Sequence, residues 1–419
     1  MYQHDAAHTG AVAVVPLLPA QAGWTSDVLD GDVYGQPLFA DGSILVATAA
    51  DTVYALDPAT GTVRWRTHLA KAVARTALPC GNVDPLGILS TPVVDPETHR
   101  IFVVTEQSDG GIHHEMVGLD TRTGTVSIRQ GVDPAGMKPI AQQQRSSLIL
   151  DHGRVIIAFG GLYGDCDDYH GWVVSASEDG TGPLRSYRTP GQGVAIWSTG
   201  GPVEDQQGNL YVTTGNGRST SSYDQGESVL KLSPDLALLD SFAVTDWAAD
   251  NAADADLGSA GPILLGDSLL FQAGKRHTGY VLDTAHLGGI GGQRSSVPTG
   301  CSSFGAQAYA ADTLYVTCVD GGLHAFSVDP LTGALATKWV SAGPGTGPAV
   351  VAGGAVWSED WKAGILHAYD PTDGRALAAF PTGAADHFVS PAIAGNELVV
   401  AAKRRVKSFA SVRSAGAAG

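Results

Sequence analysis

Residues 51–65 read DTVYALDPATGTVRW. Val53, Tyr54 and Leu56 form a short strand of β-formers, Asp57-Pro58-Ala59-Thr60-Gly61 breaks it, and Val63 and Trp65 begin a second strand. Asp and Pro open a tight turn, and Gly61 can take the positive φ that a bulged hairpin needs. The turn returns as Asp120-Thr121-Arg122-Thr123-Gly124, as Asp329-Pro330-Leu331-Thr332-Gly333 with Trp339 downstream, and as Asp370-Pro371-Thr372-Asp373-Gly374 with Phe380 downstream. Weaker copies end at Ser177-Glu178-Asp179-Gly180, Ser233-Pro234-Asp235 and Leu282-Asp283. A hairpin repeating at a spacing of roughly 40 to 60 residues indicates propeller blades.

The copies divide into eight blades: 36–65, 91–128, 147–187, 201–242, 261–282, 306–339, 347–380 and 390–409. Merging the divergent middle copies would leave seven. The last copy lacks its outer strand, and the unpaired strand around Trp24 can supply it, which closes the ring and hides both free edges. The expected fold is therefore an all-β, eight-bladed β-propeller of four-stranded antiparallel blades. It forms one domain over 1–419, with an irregular arm at 1–20 and a frayed tail at 413–419. The 54 glycines and 16% charged residues suit short strands joined by tight turns.

A net charge of −17 repels phosphate backbones and argues against nucleic acid as a partner. No apolar run reaches bilayer length, so no transmembrane segment is expected. No signal peptide is visible, and Met1 is read as a start added after a targeting segment was removed. Cys301 and Cys318 flank one strand and its approach and are the first candidates for a disulfide, with Cys80 and Cys166 a second candidate pair; no C-x-x-C occurs. Such bridges imply a secreted or cell-envelope protein.

The recurring A-L-D-x-x-T-G-x-x-x-W pattern resembles the tryptophan-docking repeat of propellers that bind pyrroloquinoline quinone (PQQ), or descend from proteins that do. The resemblance implies that Asp and Thr-Gly shape the outer hairpin while Trp packs between blades. It covers nearly the whole chain and implies a bacterial protein. In quinoprotein alcohol dehydrogenases a Trp stacks on the quinone and an Asn after a strand holds calcium. A catalytic Asp precedes an apolar strand, and a Lys or Arg stands eight residues before an L-D. In the same order this chain has Trp197 before Gly201-Pro202, Asn216 after Tyr211-Val212-Thr213-Thr214-Gly215, Asp256 before Leu257, and Lys275 in KRHTGYVLD.

By resemblance, Trp197, Asn216 and Lys275 bind the cofactor, Asn216 and Asp256 hold calcium, and Asp256 and Lys275 are catalytic. A flat quinone stacks on an aromatic plane, and oxygen ligands hold calcium. A carboxylate takes the alcohol proton as hydride leaves to the cofactor. Three positions depart from the pattern. Cys80-Gly81-Asn82 replaces an adjacent cysteine pair, Leu86-Gly87-Ile88 replaces an Arg, and Tyr34 to Gln36 lack an early Glu. Two functions remain open. One is a PQQ- and calcium-dependent oxidoreductase acting on an alcohol or sugar. The other is a cofactor-free propeller, expected to be a monomer, that binds a protein, peptide or glycan or has repurposed its central pocket.

Other groups have weaker claims. Asp165, Asp167, Asp168 and His170 could bind a cation or form a solvated loop pinned through Cys166. His113, His114 and Glu115 read as a surface hairpin start rather than a metal pair. Trp361 with Lys362, and Asp386 with His387, could line the channel mouth. Lys403-Arg404-Arg405 reads as edge protection on the closing blade. Gly288 to Gly292 read as a loop, since no Lys-Ser/Thr follows.

Overall fold

The computed structural model describes residues 1–18, 20–343 and 347–411; the expected tail at 413–419 lies outside them. The opening stretch folds as read. Ser43–Thr48 and Thr52–Leu56 pair antiparallel and are buried at every position, while Val63–His68 outside them alternates between half-buried and exposed. Asp57 Oδ1 accepts the Ala59 and Thr60 N–H groups at 2.9 and 3.1 Å, and Gly61 turns at φ +71°. Asp120 and Asp329 repeat these bonds at their own turns. Each of these hairpins carries a register slip, because the turn spends one residue more on the outer strand.

Eight such sheets follow one another around a ring and form an eight-bladed β-propeller. The inner strands are Leu38–Ala40, Val93–Asp95, Ile149–Asp151, Val203–Glu204, Ile263–Leu264, Ala308–Ala310, Ala349–Ala352 and Ala392–Ala394. The core is divided in the same way. Eight apolar clusters each join two neighbouring blades, and the last packs Val399, Ala401 and Val406 of blade eight on Ile44, Val46 and Tyr54 of blade one. Ala20–Thr25 pairs antiparallel with Arg405–Ser411 and completes blade eight.

That closing strand also brings its own docking tryptophan. Trp24 Nε1 donates to Pro58 O at 2.5 Å, as Trp65 donates to Thr121 O and Trp339 to Pro371 O, both at 3.1 Å. Each indole covers the turn glycine of the next blade. A Cβ on Gly124 would stand 2.4 Å from the Trp65 ring, so the repeated Gly serves blade docking as well as the turn.

Several expectations are corrected. The arm is not irregular throughout: Tyr2–His4 forms a 3-10 turn, and Ala11–Val12 pairs parallel with the inner strand of blade seven. Its carbonyls at Ala6, Ala7, Thr9 and Gly10 accept N–H groups of Glu204, Leu264, Tyr309 and Val351, one from each of four successive blades. The arm thus crosses the channel at the end where the first and second strands of each blade turn. Gly289–Ile290 is a short strand added parallel to blade four. His114 is buried, not on the surface, with Nδ1 2.7 Å from Asp133 and Nε2 3.3 Å from Glu106. Burial opposes its charge, but the two carboxylates overcome that and hold its pKa near 10. The basic run does not guard an edge. Lys403 pairs with Asp386, while Arg404 and Arg405 donate to Leu29 O and Ser26 O and fasten the N-terminal segment.

Both candidate disulfides are present, Cys80–Cys166 and Cys301–Cys318, which fits an oxidising compartment. Among the described residues no helix is long and apolar enough to cross a membrane.

Candidate active site in the central cavity

In an up-and-down blade, the loop between the second and third strands lies at the same end as the link to the next blade. The loops at that end surround a cavity of about 650 Å³. Gly161 to Asp165, Asn216 and Lys275 come from loops within blades three, four and five. Asn82, Arg145, Trp197, Asp256, Phe304 and Phe388 come from the links between blades.

All four residues singled out by resemblance line this cavity. Asp256 is buried. Its Oδ1 accepts the Asn216 N–H at 2.6 Å and its Oδ2 lies 2.6 Å from Lys275 Nζ. Lys275 also reaches Asp254 Oδ1 at 2.8 Å and sits 5.9 Å from the centre of the Trp197 ring. Two glycines permit this approach. A Cβ at Gly215 would fall 2.5 Å from Asp256 Oδ1 and 2.8 Å from Trp197 Nε1, and one at Gly274 would fall 2.2 Å from Asp256 O. The backbone of Asp256 is held by the same loop of blade five, since Lys275 N–H donates to Asp256 O at 2.9 Å.

Burial raises the Asp256 carboxyl above its ordinary value, and the Lys275 ammonium and the Asn216 N–H act against that rise. Burial works against the Lys275 charge, but Asp256 and Asp254 outweigh it and raise its pKa. The pair is an ammonium beside a carboxylate whose basicity is increased, which suits proton acceptance.

The sequence reading missed several groups. Glu227, at the entry to the third strand of blade four, is buried behind Asp256, and its Oε2 accepts the Leu257 N–H at 2.5 Å. Burial, and then the charge of Asp256, push it up to about 9. The seven-residue helix Trp247–Ala253, which carries no long apolar period, precedes Asp254 and Asp256. Phe304 stands 6.4 Å from Trp197 and stacks on Phe388 at 5.2 Å with planes 8° apart. A positional signal was present. Tyr34, Arg145, Phe304 and Phe388 each stand four residues before the inner strand of a blade, where the incoming chain crosses the channel mouth.

Of the weaker candidates, His387 lines the cavity, and burial with the nearby charges of Arg145 and Lys403 lowers it to about 4. Trp361 is one ring further out, 5.2 Å from His387, with Lys362 over it. Asp386 is buried against Lys403. The acidic loop does not converge on a point. Asp165 accepts from Tyr169, Asp167 pairs with Lys138, Asp168 accepts from Gln192, and His170 faces Thr189 O. It is a loop pinned through Cys166.

The fold and cavity define a closed eight-bladed propeller with a polar site at the mouth of its axis. A family model described as "Outer membrane protein assembly factor BamB" matches residues 19–286, more than half of the chain, and the chain belongs to that family of PQQ-like propellers. No curated protein matches it. Among solved structures it is similar to a quinohemoprotein alcohol dehydrogenase from Pseudomonas putida HK5, with a TM-score of 0.77 and 14% identity over 99% of this chain and 80% of that one. It is similar to a quinohemoprotein alcohol dehydrogenase from Comamonas testosteroni, at 0.74 and 16% over 98% and 80%. It also resembles BamB from Moraxella catarrhalis, at 0.63 and 14% over 93% and 99%. At these identities the likeness carries the fold, not the activity.

Proposed function

We propose that the central cavity is the active site of an exported quinoprotein-like oxidoreductase that acts on an alcohol or sugar. The observation that carries this reading is the meeting of Trp197, Asn216, Asp256 and Lys275 at one wall of one cavity, with Asp256 buried and 2.6 Å from Lys275.

A flat, carboxylate-bearing quinone such as PQQ fits the residues present. Trp197 and the stacked Phe304–Phe388 pair offer aromatic faces, and Lys275 and Arg145 offer cationic ones. When bound, it would accept a hydride from the alcohol carbon. The chain's own part is proton handling. Asp256 takes the hydroxyl proton, Lys275 and the Asn216 N–H hold both carboxylate oxygens in place, and neutral Glu227 keeps a second negative charge from its back.

For calcium the cavity offers Asn216 and Asp256, the two ligands implied by resemblance. Both Asp256 oxygens are engaged, and among the described residues no three His, Cys, Asp or Glu side chains gather at one point of the cavity, whereas calcium takes six or more oxygens. No step is assigned to it. That shortage favours the second reading, a cofactor-free propeller that binds a glycan, peptide or protein at the same mouth.

Titration with PQQ, with and without calcium, separates the two readings. A bound cofactor should raise the melting temperature with its concentration. Trp197→Ala should abolish that rise, while Asp256→Asn should keep binding and lose alcohol-dependent reduction of an artificial electron acceptor. An unshifted melting temperature for the wild type at saturating PQQ, under both conditions, would remove the quinoprotein reading.

A further inference from the structure

Beyond Phe304 and Phe388, two rings away from Trp197, the cavity wall contains Arg145. Its guanidinium stands 5.0 Å from the centre of the Phe388 ring and 5.9 Å from that of Tyr34. The Nε is fully buried and has no hydrogen-bond partner. Nη2 makes a single bond, to the carbonyl of His387 at 3.3 Å. Among the described residues no carboxylate lies within ion-pair distance of it, because the acid of this corner, Asp386, is taken by Lys403.

A desolvated cation without a counter-ion is costly to fold around. The strain is visible in its acidity, since burial lowers the guanidinium to about 10 despite the opposing influence of Tyr34 and Asp386. Aromatic faces recover part of the cost but satisfy none of the N–H groups in the plane. The terminal Nη1–Nη2 edge, with one bond to the His387 carbonyl, remains available to the cavity, and a carboxylate matches such an edge with two parallel charge-assisted bonds.

We propose that Arg145 is the anchor of an anion subsite, which receives the carboxylate of a flat organic acid whose body lies along Phe388 and Phe304 toward Trp197. The proposal rests on this cavity being the ligand site, as argued above, but not on quinone chemistry. The carboxylate could belong to a quinone cofactor or to an oxidisable hydroxy acid. Its recognition at Arg145 is the same in both cases.

The test is calorimetric titration of wild type and Arg145→Gln with four probes: PQQ, its trimethyl ester, mandelate and quinoline-2-carboxylate. Loss of one forked, charge-assisted pair should weaken binding about 10- to 100-fold. A loss confined to PQQ, with the ester bound equally by both proteins, assigns the carboxylate to the cofactor. A loss confined to mandelate assigns it to the substrate. If wild type ignores PQQ but holds quinoline-2-carboxylate through Arg145, the quinoprotein reading fails while the subsite stands. Equal affinity of both proteins for every acid, or no binding of any acid to wild type, overturns the subsite. Melting without ligand gives an independent check. Arg145→Gln should melt at or above wild type, because it removes an uncompensated charge, and a marked drop would make Arg145 a structural residue and refute the proposal.

Discussion

Replacing Glu227 by Gln changes one atom in a buried carboxyl and should change how stability responds to pH. Glu227 is buried, its Oε2 is held by the Leu257 N–H, and its Oε1 has no partner. Burial and the neighbouring Asp256 raise it from 4.5 to about 9. The folded protein therefore keeps this proton over the range in which the unfolded chain has already lost it. For an acid raised in the folded state, stability is greatest below the unfolded pKa and declines as pH climbs toward the folded one. Each pH unit within that window costs about 1.4 kcal/mol, or about 3 kcal/mol between pH 6 and 8. Gln keeps an acceptor for Leu257 and carries no proton to lose. Urea unfolding of both proteins at pH 6, 7 and 8, with disulfides intact, should show the variant gaining on wild type by about 3 kcal/mol across the series. Other titrating groups cancel in the difference. A difference that stays flat with pH would refute the claim that Glu227 is neutral, and with it the uncharged backing given to Asp256.

Three further substitutions test the ring and the ion pair. Gly124→Ala places a Cβ 2.4 Å from the Trp65 ring at a φ of +71° and should cost about 1–3 kcal/mol in thermal or chemical unfolding. Gly110→Ala, at φ +78° with nothing within 4 Å, should cost distinctly less, since it meets the backbone strain alone. Lys275→Met strands the buried Asp256 carboxylate, which should then titrate higher and lower stability at neutral pH by about 3–5 kcal/mol. The deficit should shrink in acid, where the carboxyl is protonated, and a pH-independent deficit would point to lost packing instead.

The ring was legible in the sequence because its decisive chemistry is local. Asp57, Gly61 and Trp65 lie within one hairpin, and each needs its residue type for a reason that recurs blade after blade: an N–H acceptor, a positive φ, and an indole for the next turn. The middle blades were harder to divide because they dock differently. At blade six the turn glycine, Gly333, faces Val281 instead of an indole. Resemblance supplied Trp197, Asn216, Asp256 and Lys275, whose order along the chain survives even where spacing does not. Phe304, Phe388 and Arg145 stayed hidden because no periodicity marks a residue that enters a cavity from an irregular link, and Glu227 because it stands behind the cavity wall at the start of a strand. Arg145 in QQQRSSLIL reads as an ordinary polar residue before a strand. His114 was misplaced because two carboxylates on other segments, buried Glu106 and half-buried Asp133, keep its charge inside.

The departures from the quinoprotein pattern also have a structural logic. The cavity lip carries no adjacent cysteine pair, but Cys80 bridges to Cys166 and ties the link between blades one and two to the long loop of blade three. Asn82 and Gly164, which line the cavity, flank that bridge. Two wall segments that share no sheet are thus held at a fixed separation. The opposite end is closed by the arm, whose carbonyls take one N–H from each of four inner strands and whose Tyr2, Gln3 and His8 are buried. A propeller axis open at both ends would let water reach Asp256 from below and level the acidities of its neighbours. Closing one end and bracing the other keeps Glu227 and Asp256 in a medium where burial dominates. The burial that raises these two carboxyls comes from the loops that carry them, and the arm and the Cys80–Cys166 link, both remote in sequence, hold the two ends of the axis around those loops.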